Sequence, residues 1–435
     1  MTMNRGTAYL VFALCAVVTV ARGGTTSSIL ASPCLVTDYG AVGDNTTEAT
    51  ASVVAALRAC AGSRPIVFPA PGVYLLRPVA LPPATALVIE EGAVVAAWRD
   101  MATWPTMPMP TPNMYANQSS RGLALFSASG GSGYRVGGGG TVDGGGAQWW
   151  AASWWANHSW PLYWRPVLFN FTNVTDLVFE GVTLRNSPMF HFLAHKARDV
   201  VVRDVTVRAG CNFTVAPNTD GINVQGVNIT VDNVDIINGD DCLPVNAPSA
   251  HVRVSNARCE CGTNSAVPII WNGVVMSNEE GLLTDVVFSN ITSVRNMFGA
   301  GIKSNARFTG VVSNVVFENF RIIDPLEGAI YVNVFNQGAR EQLVDTPRRP
   351  ATMTVHNVTY RNILATGVKN EGHFLCDAQQ PCFDFRMENV TLTGPPSMAP
   401  WVCGNVSGSW VDTHPEPCWR KTPPAHTTGT SIPGY

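Results

Sequence analysis

Val200–Val207 reads VVVRDVTV and Ile229–Ile236 reads ITVDNVDI, two copies of one pattern: apolar, any, apolar, polar, then Asn, Asp or Gly, then apolar again. The pattern recurs at Leu177–Leu184 (LVFEGVTL), Val252–Cys259 (VRVSNARC), Val286–Ser293 (VVFSNITS), Val315–Ile322 (VVFENFRI), Val358–Leu364 and Phe385–Leu392 (FRMENVTL). Alternating apolar residues mark short half-buried strands. The fifth position holds Gly181, Asp204, Asn233, Asn256, Asn290, Asn319, Asn362 and Asn389, residue types that tolerate a left-handed backbone, so two strands meet there at a bend. Successive bends lie 23 to 43 residues apart, the period of a solenoid whose coils carry loops of variable length. A β-sandwich with Asn-rich turns is the alternative, but it does not require the same turn residue after the same apolar triplet eight times. The fold class expected is therefore all-β: a right-handed parallel β-helix.

A solenoid end exposes unpaired strand edges and interior, and needs a cap. Within Glu48–Cys60 the residues Val53, Val54, Ala56, Leu57 and Cys60 recur at helical spacing, which predicts an N-terminal capping helix led in by Asn45 and Thr46. Lys421–Tyr435 (KTPPAHTTGTSIPGY) has no apolar period and reads as a flexible tail. At the start, a basic Met1–Arg5, an apolar Ala8–Val20 and the small residues Ala21, Gly23 and Gly24 read as a signal peptide over residues 1–24. Residues 25–420 then form one β-helix domain, and the mature chain is secreted.

Charged residues make up 14% of the 435 and the formal net charge is -3, which disfavours a nucleic-acid partner or a basic membrane-binding patch. Removing Cys15 with the leader leaves ten cysteines, an even number suited to disulfides outside the cytosol. Cys259 and Cys261 raise zinc as an alternative, but a single intervening residue is a poor chelating spacing. Eleven Asn-x-Ser/Thr sequons, among them Asn45, Asn117, Asn212, Asn290 and Asn389, suit an exported glycoprotein.

Asn218-Thr219-Asp220-Gly221 and Gly239-Asp240-Asp241-Cys242 stand about one coil apart, so stacking should bring three carboxyls together. Adjacent like charges oppose one another's ionisation and can keep one carboxyl protonated, as a general acid requires. An inverting glycosidase needs such an acid and a base on a water, roughly 6.5–9.5 Å apart. Solvated turn residues and a calcium site are the alternatives. Trp149, Trp150, Trp154, Trp155, Trp160 and Trp164 crowd one segment and could stack on sugar rings or pack a loop, while His191 and His195 read as structural.

In this order of motifs the chain resembles the polygalacturonase family of glycoside hydrolases, family 28. The resemblance runs through Asp38-Tyr39-Gly40-Ala41, Gly140-Thr141-Val142-Asp143-Gly144, Arg165-Pro166, Asn186-Ser187-Pro188 and the two acidic motifs. It implies hydrolysis of α-1,4-galacturonosyl linkages in pectin with inversion, Asp240 as general acid, Asp220 and Asp241 holding the attacking water, and Asn218 and Lys303 binding substrate. It implies no cofactor, no metal and a monomer acting on an acidic polysaccharide. The family's Arg-Ile-Lys motif reads Gly301-Ile302-Lys303 here, and no His follows Cys259 before Lys303, with Thr263 or Asn272 in its place. These departures point toward modified pectin or exo attack, and they motivate a second reading, a catalytically weak extracellular glycan-binding β-helix. A lyase is the alternative within the enzyme class.

Overall fold

The computed structural model describes residues 32–108, 120–152, 165–211, 215–261, 268–270, 281–304, 309–335 and 352–421. Parallel strands dominate, linked in one 28-stranded ladder whose coils wind in the right-handed sense usual for parallel connections. The fold is a right-handed parallel β-helix, as the repeat implied. The long strands Phe192–Arg208, Ile222–Ile237, Ser249–Glu260, Gly281–Val294, Thr309–Ile323, Thr352–Thr366, Cys382–Leu392 and Val406–His414 pair in succession.

Register is held from coil to coil along most of each long strand, with shifts at Ala194–Ala197 and Cys382–Phe385. Val200, Ile229, Val252, Val286, Val315, Val358 and Phe385 are successive partners, and each is buried. Because neighbouring strands lie about 4.8 Å apart, like side chains stack: the rings of Phe288, Phe317 and Tyr360 lie nearly parallel with centroids 5.2 and 5.0 Å apart.

All eight bend residues have a left-handed backbone, with φ between 50° and 63°. Gly181 separates the strands Thr175–Glu180 and Thr183–Arg185, while the other seven bends fall inside long strands, which turn a corner without losing their pairing. Their side chains bond between coils: Asn290 Nδ2 donates to Asn256 Oδ1 at 2.6 Å, Asn362 to Asn319 at 3.0 Å and Asn389 to Asn362 at 3.0 Å. A second corner column, not foreseen from the repeat, runs through Asp199, Asn228, His251, Asp285, Asn314 and Asn357, again left-handed, with Asn228 bonded to Asp199 at 2.6 Å and Asn357 to Asn314 at 2.7 Å.

The expected helix spans Thr50–Cys60 and buries Val53, Ala56, Leu57 and Cys60 against the strands Cys34–Leu35 and Ile66–Phe68. Its entry differs from expectation. Asn45 and Thr46 belong to the strand Asp44–Glu48, where the Asp44 carboxylate accepts the N–H of Thr46 and Thr47, and the first helical N–H is met by Glu48 Oε1, which accepts from Thr50 at 2.8 Å. A single acidic side chain close to the helix start thus does what the upstream polar pair was expected to do.

The ten cysteines pair as 34–60, 211–261, 242–259, 376–382 and 403–418, so Cys259 and Cys261 go to different partners. At the C-terminal end Lys421, expected to begin the tail, still pairs in the strand Arg420–Lys421. The proposed leader and residues 422–435 lie outside the described residues.

Asn362 tests the corner. Asn362→Ala removes two inter-coil bonds and places a Cβ residue without a local polar partner at φ 54°, so denaturant unfolding should show a loss of about 1–2 kcal/mol. Asn362→Gly, which accepts that φ, should lose visibly less. Equal losses would show that backbone conformation contributes nothing there.

Candidate active site

The two acidic motifs sit on neighbouring coils and are joined by the ladder itself. The Gly221 N–H donates to Asp241 O at 3.0 Å and Ile222 N–H to Cys242 O at 3.0 Å, while His191 N–H donates to Asp220 O at 2.9 Å on the coil before. Asp220 and Asp241 are thus placed one strand spacing apart by backbone bonds, and Asp240 follows from its neighbour.

The turns are braced from below by buried side chains. Asn238 Nδ2 lies within reach of Thr219 O at 2.9 Å, Asp240 O at 3.1 Å and Asp241 O at 2.9 Å, tying both acidic segments to one amide. Gly239 N–H donates to Thr219 Oγ1 at 2.9 Å, and that hydroxyl donates to Ala216 O. Cys242 is anchored to Cys259.

His191 is completely buried. Its Nε2 lies 3.3 Å from the Ser187 N–H, which can only donate, so Nε2 accepts and Nδ1 carries the proton that goes to Asp220 O at 3.0 Å. Burial pushes its pKa down to about 4, and as a neutral imidazole it fixes the Asp220 carbonyl. His195 lies half-buried in the strand Phe192–Arg208, with its proton affinity lowered by burial first and then by Lys196 and Arg121.

Asp220, Asp240 and Asp241 are exposed by only 5, 2 and 3%. Asp241 nevertheless meets a side chain from the outer face of the sheet. In the strand Phe298–Lys303, Ala300 and Ile302 enter the core, which turns Gly301 and Lys303 outward, and Lys303 Nζ donates to Asp241 Oδ2 at 2.8 Å. Asp240 accepts on both oxygens, from Asp241 N–H at 2.8 Å on Oδ1 and from Asn218 N–H at 3.0 Å on Oδ2. Asn223 Nδ2 approaches Asp220 Oδ2 at 3.3 Å.

Burial first, then the charges of Asp240 and Asp241, hold the Asp220 carboxyl well above the usual aspartate range, against the pull of Lys303 and Asn223. Lys303 answers in kind: burial weakens its hold on the proton, but Asp241, then Tyr331 and Asp240, more than restore it, and it stays charged. A second cation, Arg165, is 8% exposed. Burial lowers it to about 10 while Asp240 and Asp220 oppose the fall, so it too is charged at neutral pH.

Two expected substrate contacts are therefore engaged inside the protein. Asn218 turns its backbone N–H to Asp240, and Lys303 is paired with Asp241 rather than standing unpartnered in the groove. An ammonium has three donors, so Lys303 can still meet an anion. Arg165, Asn238 and His191 were not among the expected site residues. Arg165-Pro166 and Asn186-Ser187-Pro188 were the sequence signals that could have led to the first and last, and Asn238 adjoins the double Asp.

Gly301 lies beside Tyr331 across the ladder. A Cβ there would come within 2.7 Å of Tyr331 Cδ1 and 3.0 Å of Tyr331 O, so the ring occupies the space a longer side chain would need. Phe298 stacks on that ring at 4.5 Å and His373 meets it edge-on at 4.9 Å. Burial raises the Tyr331 pKa, Lys303 opposes and Asp241 adds to it, which puts the phenol in the field of the same charges.

Of the tryptophans, Trp149 packs edge-on against Trp104 at 6.1 Å and Trp150 donates from Nε1 to Ser187 O at 3.0 Å, and both are buried. These two serve packing. Trp154, Trp155, Trp160 and Trp164, with Thr263 and Asn272, lie outside the described residues.

Polygalacturonase-2 of Solanum lycopersicum is 28% identical over 276 residues, 62% of this chain and 58% of that protein. The match thus spans under three-fifths of that relative's length. Probable rhamnogalacturonase E of Aspergillus flavus is 27% identical over 412 residues, 92% of this chain and 82% of that one. The exopolygalacturonase of Thermotoga maritima superposes with a TM-score of 0.68 at 18% identity, covering 86% of this chain and 91% of its own, a likeness of fold. The sequence pattern of the glycosyl hydrolases of family 28 matches residues 106–414, well over half of the chain, and the chain belongs to that family.

Proposed function

We propose that this protein hydrolyses glycosidic bonds in a pectic, uronate-containing polysaccharide, cleaving α-1,4-galacturonosyl linkages with inversion. The observation that carries the reading is the set of three carboxyls on neighbouring coils, Asp220 and Asp241 held by backbone ladder bonds, with Asp241 paired to Lys303 and Asp220 inclined to keep a proton. Such a set supplies both a proton donor and an ionised base without a cofactor. Asp240 protonates the leaving oxygen, and Asp220 with Asp241 holds and activates water on the opposite face. This assignment requires the proton that rests on Asp220 to be on Asp240 when the bond breaks. Lys303 and Asn218 help seat the substrate, Lys303 through a uronate carboxylate.

The crowding of Gly301 by Tyr331 favours a substrate other than unmodified polygalacturonate, since a second cation beside Lys303 has no room. A backbone with neutral or modified units, or attack at a chain end, suits a site with one cation at that point. The protein acts outside the cell as a monomer, and its leader and single β-helix domain belong to the same proposal. The slight exposure of the three carboxyls favours the second reading, a glycan-binding β-helix of weak activity.

Reducing-end release from polygalacturonate, esterified pectin and rhamnogalacturonan separates the two. Hydrolysis of at least one is expected, with the anomer inverted in the first product seen by NMR. Asp240→Asn and Asp241→Asn should each lower kcat by about 100-fold or more. Folded protein silent on all three substrates would leave binding, and ultraviolet-absorbing unsaturated products would mean a lyase.

The pH dependence of kcat tests the roles. If Asp220 acts ionised, kcat should rise with pH through its raised midpoint; a fall through that midpoint would make Asp220 the donor and exchange it with Asp240.

Stability gives an independent reading. Asp220 binds its proton more tightly folded than unfolded, so its contribution is complete below the unfolded midpoint, about pH 4, and is lost as pH rises through the folded one. Asp220→Asn should therefore melt higher than the wild type near neutral pH, with the gap closing toward about pH 4. A variant that melts lower at neutral pH would mean that Asp220 is held as a stabilising carboxylate.

A further inference from the structure

Arg165 stands just ahead of the strand Phe169–Thr172 and reaches three carbonyl oxygens of other segments. Its Nη1 donates to Pro188 O at 2.8 Å and to Pro217 O at 2.5 Å, and its Nη2 donates to Asn218 Oδ1 at 2.6 Å. A guanidinium carries donors only. The Asn218 atom that faces it must therefore be the oxygen, and the amide nitrogen is turned the other way. There it lies 3.4 Å from Asp240 Oδ2, the oxygen that already accepts the Asn218 backbone N–H at 3.0 Å.

We infer that Arg165 is a positioning residue for Asp240, acting through the side chain of Asn218. The inference rests on the hydrolase reading for its kinetic consequences and on geometry for its existence. Without the guanidinium, the Asn218 amide can rotate and present its own oxygen to a carboxylate oxygen, which repels. Asp240 Oδ2 would lose one donor and the direction that the pair imposes. The φ of 55° at Asn218 is part of the device, because it brings backbone and side-chain nitrogens to the same oxygen.

The bonds to Pro188 O and Pro217 O fix the reach of the fork. A lysine keeps the charge but cannot make three divergent bonds from one plane. Charge and geometry are thereby separable by substitution. Arg165 touches no reacting atom in this scheme, and among the described residues Asp220, Asp241 and Lys303 are further charged groups around Asp240.

The test is a double-mutant cycle between Arg165→Gln and Asn218→Ala, with Arg165→Lys alongside, all measured on whichever pectic substrate the wild type hydrolyses. Each single variant should lower kcat by about 10-fold or more, Arg165→Gln with KM changed by less than about 3-fold and Asn218→Ala with KM raised as well, and in kcat the double variant should be no slower than the slower single. Arg165→Lys should recover little. Independent, multiplying losses, an effect on KM alone or full recovery by lysine would each overturn the inference.

If Arg165 variants do not fold, Asn218→Asp decides. It keeps a partner for Arg165 but turns an acceptor toward Asp240, and kcat at the wild-type level would overturn the inference. Should the wild type hydrolyse nothing, the hydrolase reading fails by itself and the carbon-13 carboxyl resonance of Asp240 takes over. It should move in Arg165→Gln as it does in Asn218→Ala, and a resonance that stays in place in the first variant would refute the positioning role.

Discussion

Parallel backbone bonding at constant register governs everything else in this protein. Each coil adds one strand spacing, about 4.8 Å, and returns the chain to the same angular position. Residues some twenty apart in sequence become neighbours at hydrogen-bonding distance. The bonds from His191 to Asp220 and from Gly221 to Asp241 are ordinary rungs of this ladder, and they carry the acidic residues. The corners make constant register possible, since a left-handed residue lets a strand turn without breaking its pairing.

Placing three carboxyls this close creates an electrostatic problem that the surroundings answer. Lys303 pairs with Asp241 on one side, and Arg165 lies in the field of Asp240 and Asp220 on another. These two cations and the raised proton affinity of Asp220 both reduce the negative charge that a nearly buried site must carry. Low exposure also strengthens each interaction within it. A carboxyl inclined to keep its proton, set beside two further carboxyls, is the arrangement that acid and base catalysis use, at the cost of stability when that proton leaves.

The solenoid was legible because its corner is chemically narrow: few residue types accept φ near 55°, and Asn319, Asn362 and Asn389 announce it. The second column, five of whose six residues are Asn or Asp, was not read because its members stand ahead of the apolar triplets rather than after them. The helix was found from its apolar period, whereas its first bond came from Glu48, which a reading of preferred cap residues passes over. Among site residues the carboxyls and Lys303 could be named from spacing and resemblance. Arg165 was visible within a motif of the resemblance and His191 as a structural residue, but their roles, and that of Asn238, were not, since they act on backbone carbonyls of distant segments and no sequence pattern records which carbonyl a buried donor will meet. The replacement at Gly301 was visible, but its cause, the ring of Tyr331 one coil away, needed the register.

The central claim is that the carboxyls at 220, 240 and 241 behave as one coupled group. A carbon-13 titration of the Asp220 carboxyl, in the wild type and in Asp241→Asn, measures this directly. Coupling requires a midpoint well above the ordinary aspartate range in the wild type and a clear fall when the neighbouring charge is removed. An Asp220 that titrates as a normal aspartate, or at the same pH in both proteins, would contradict it.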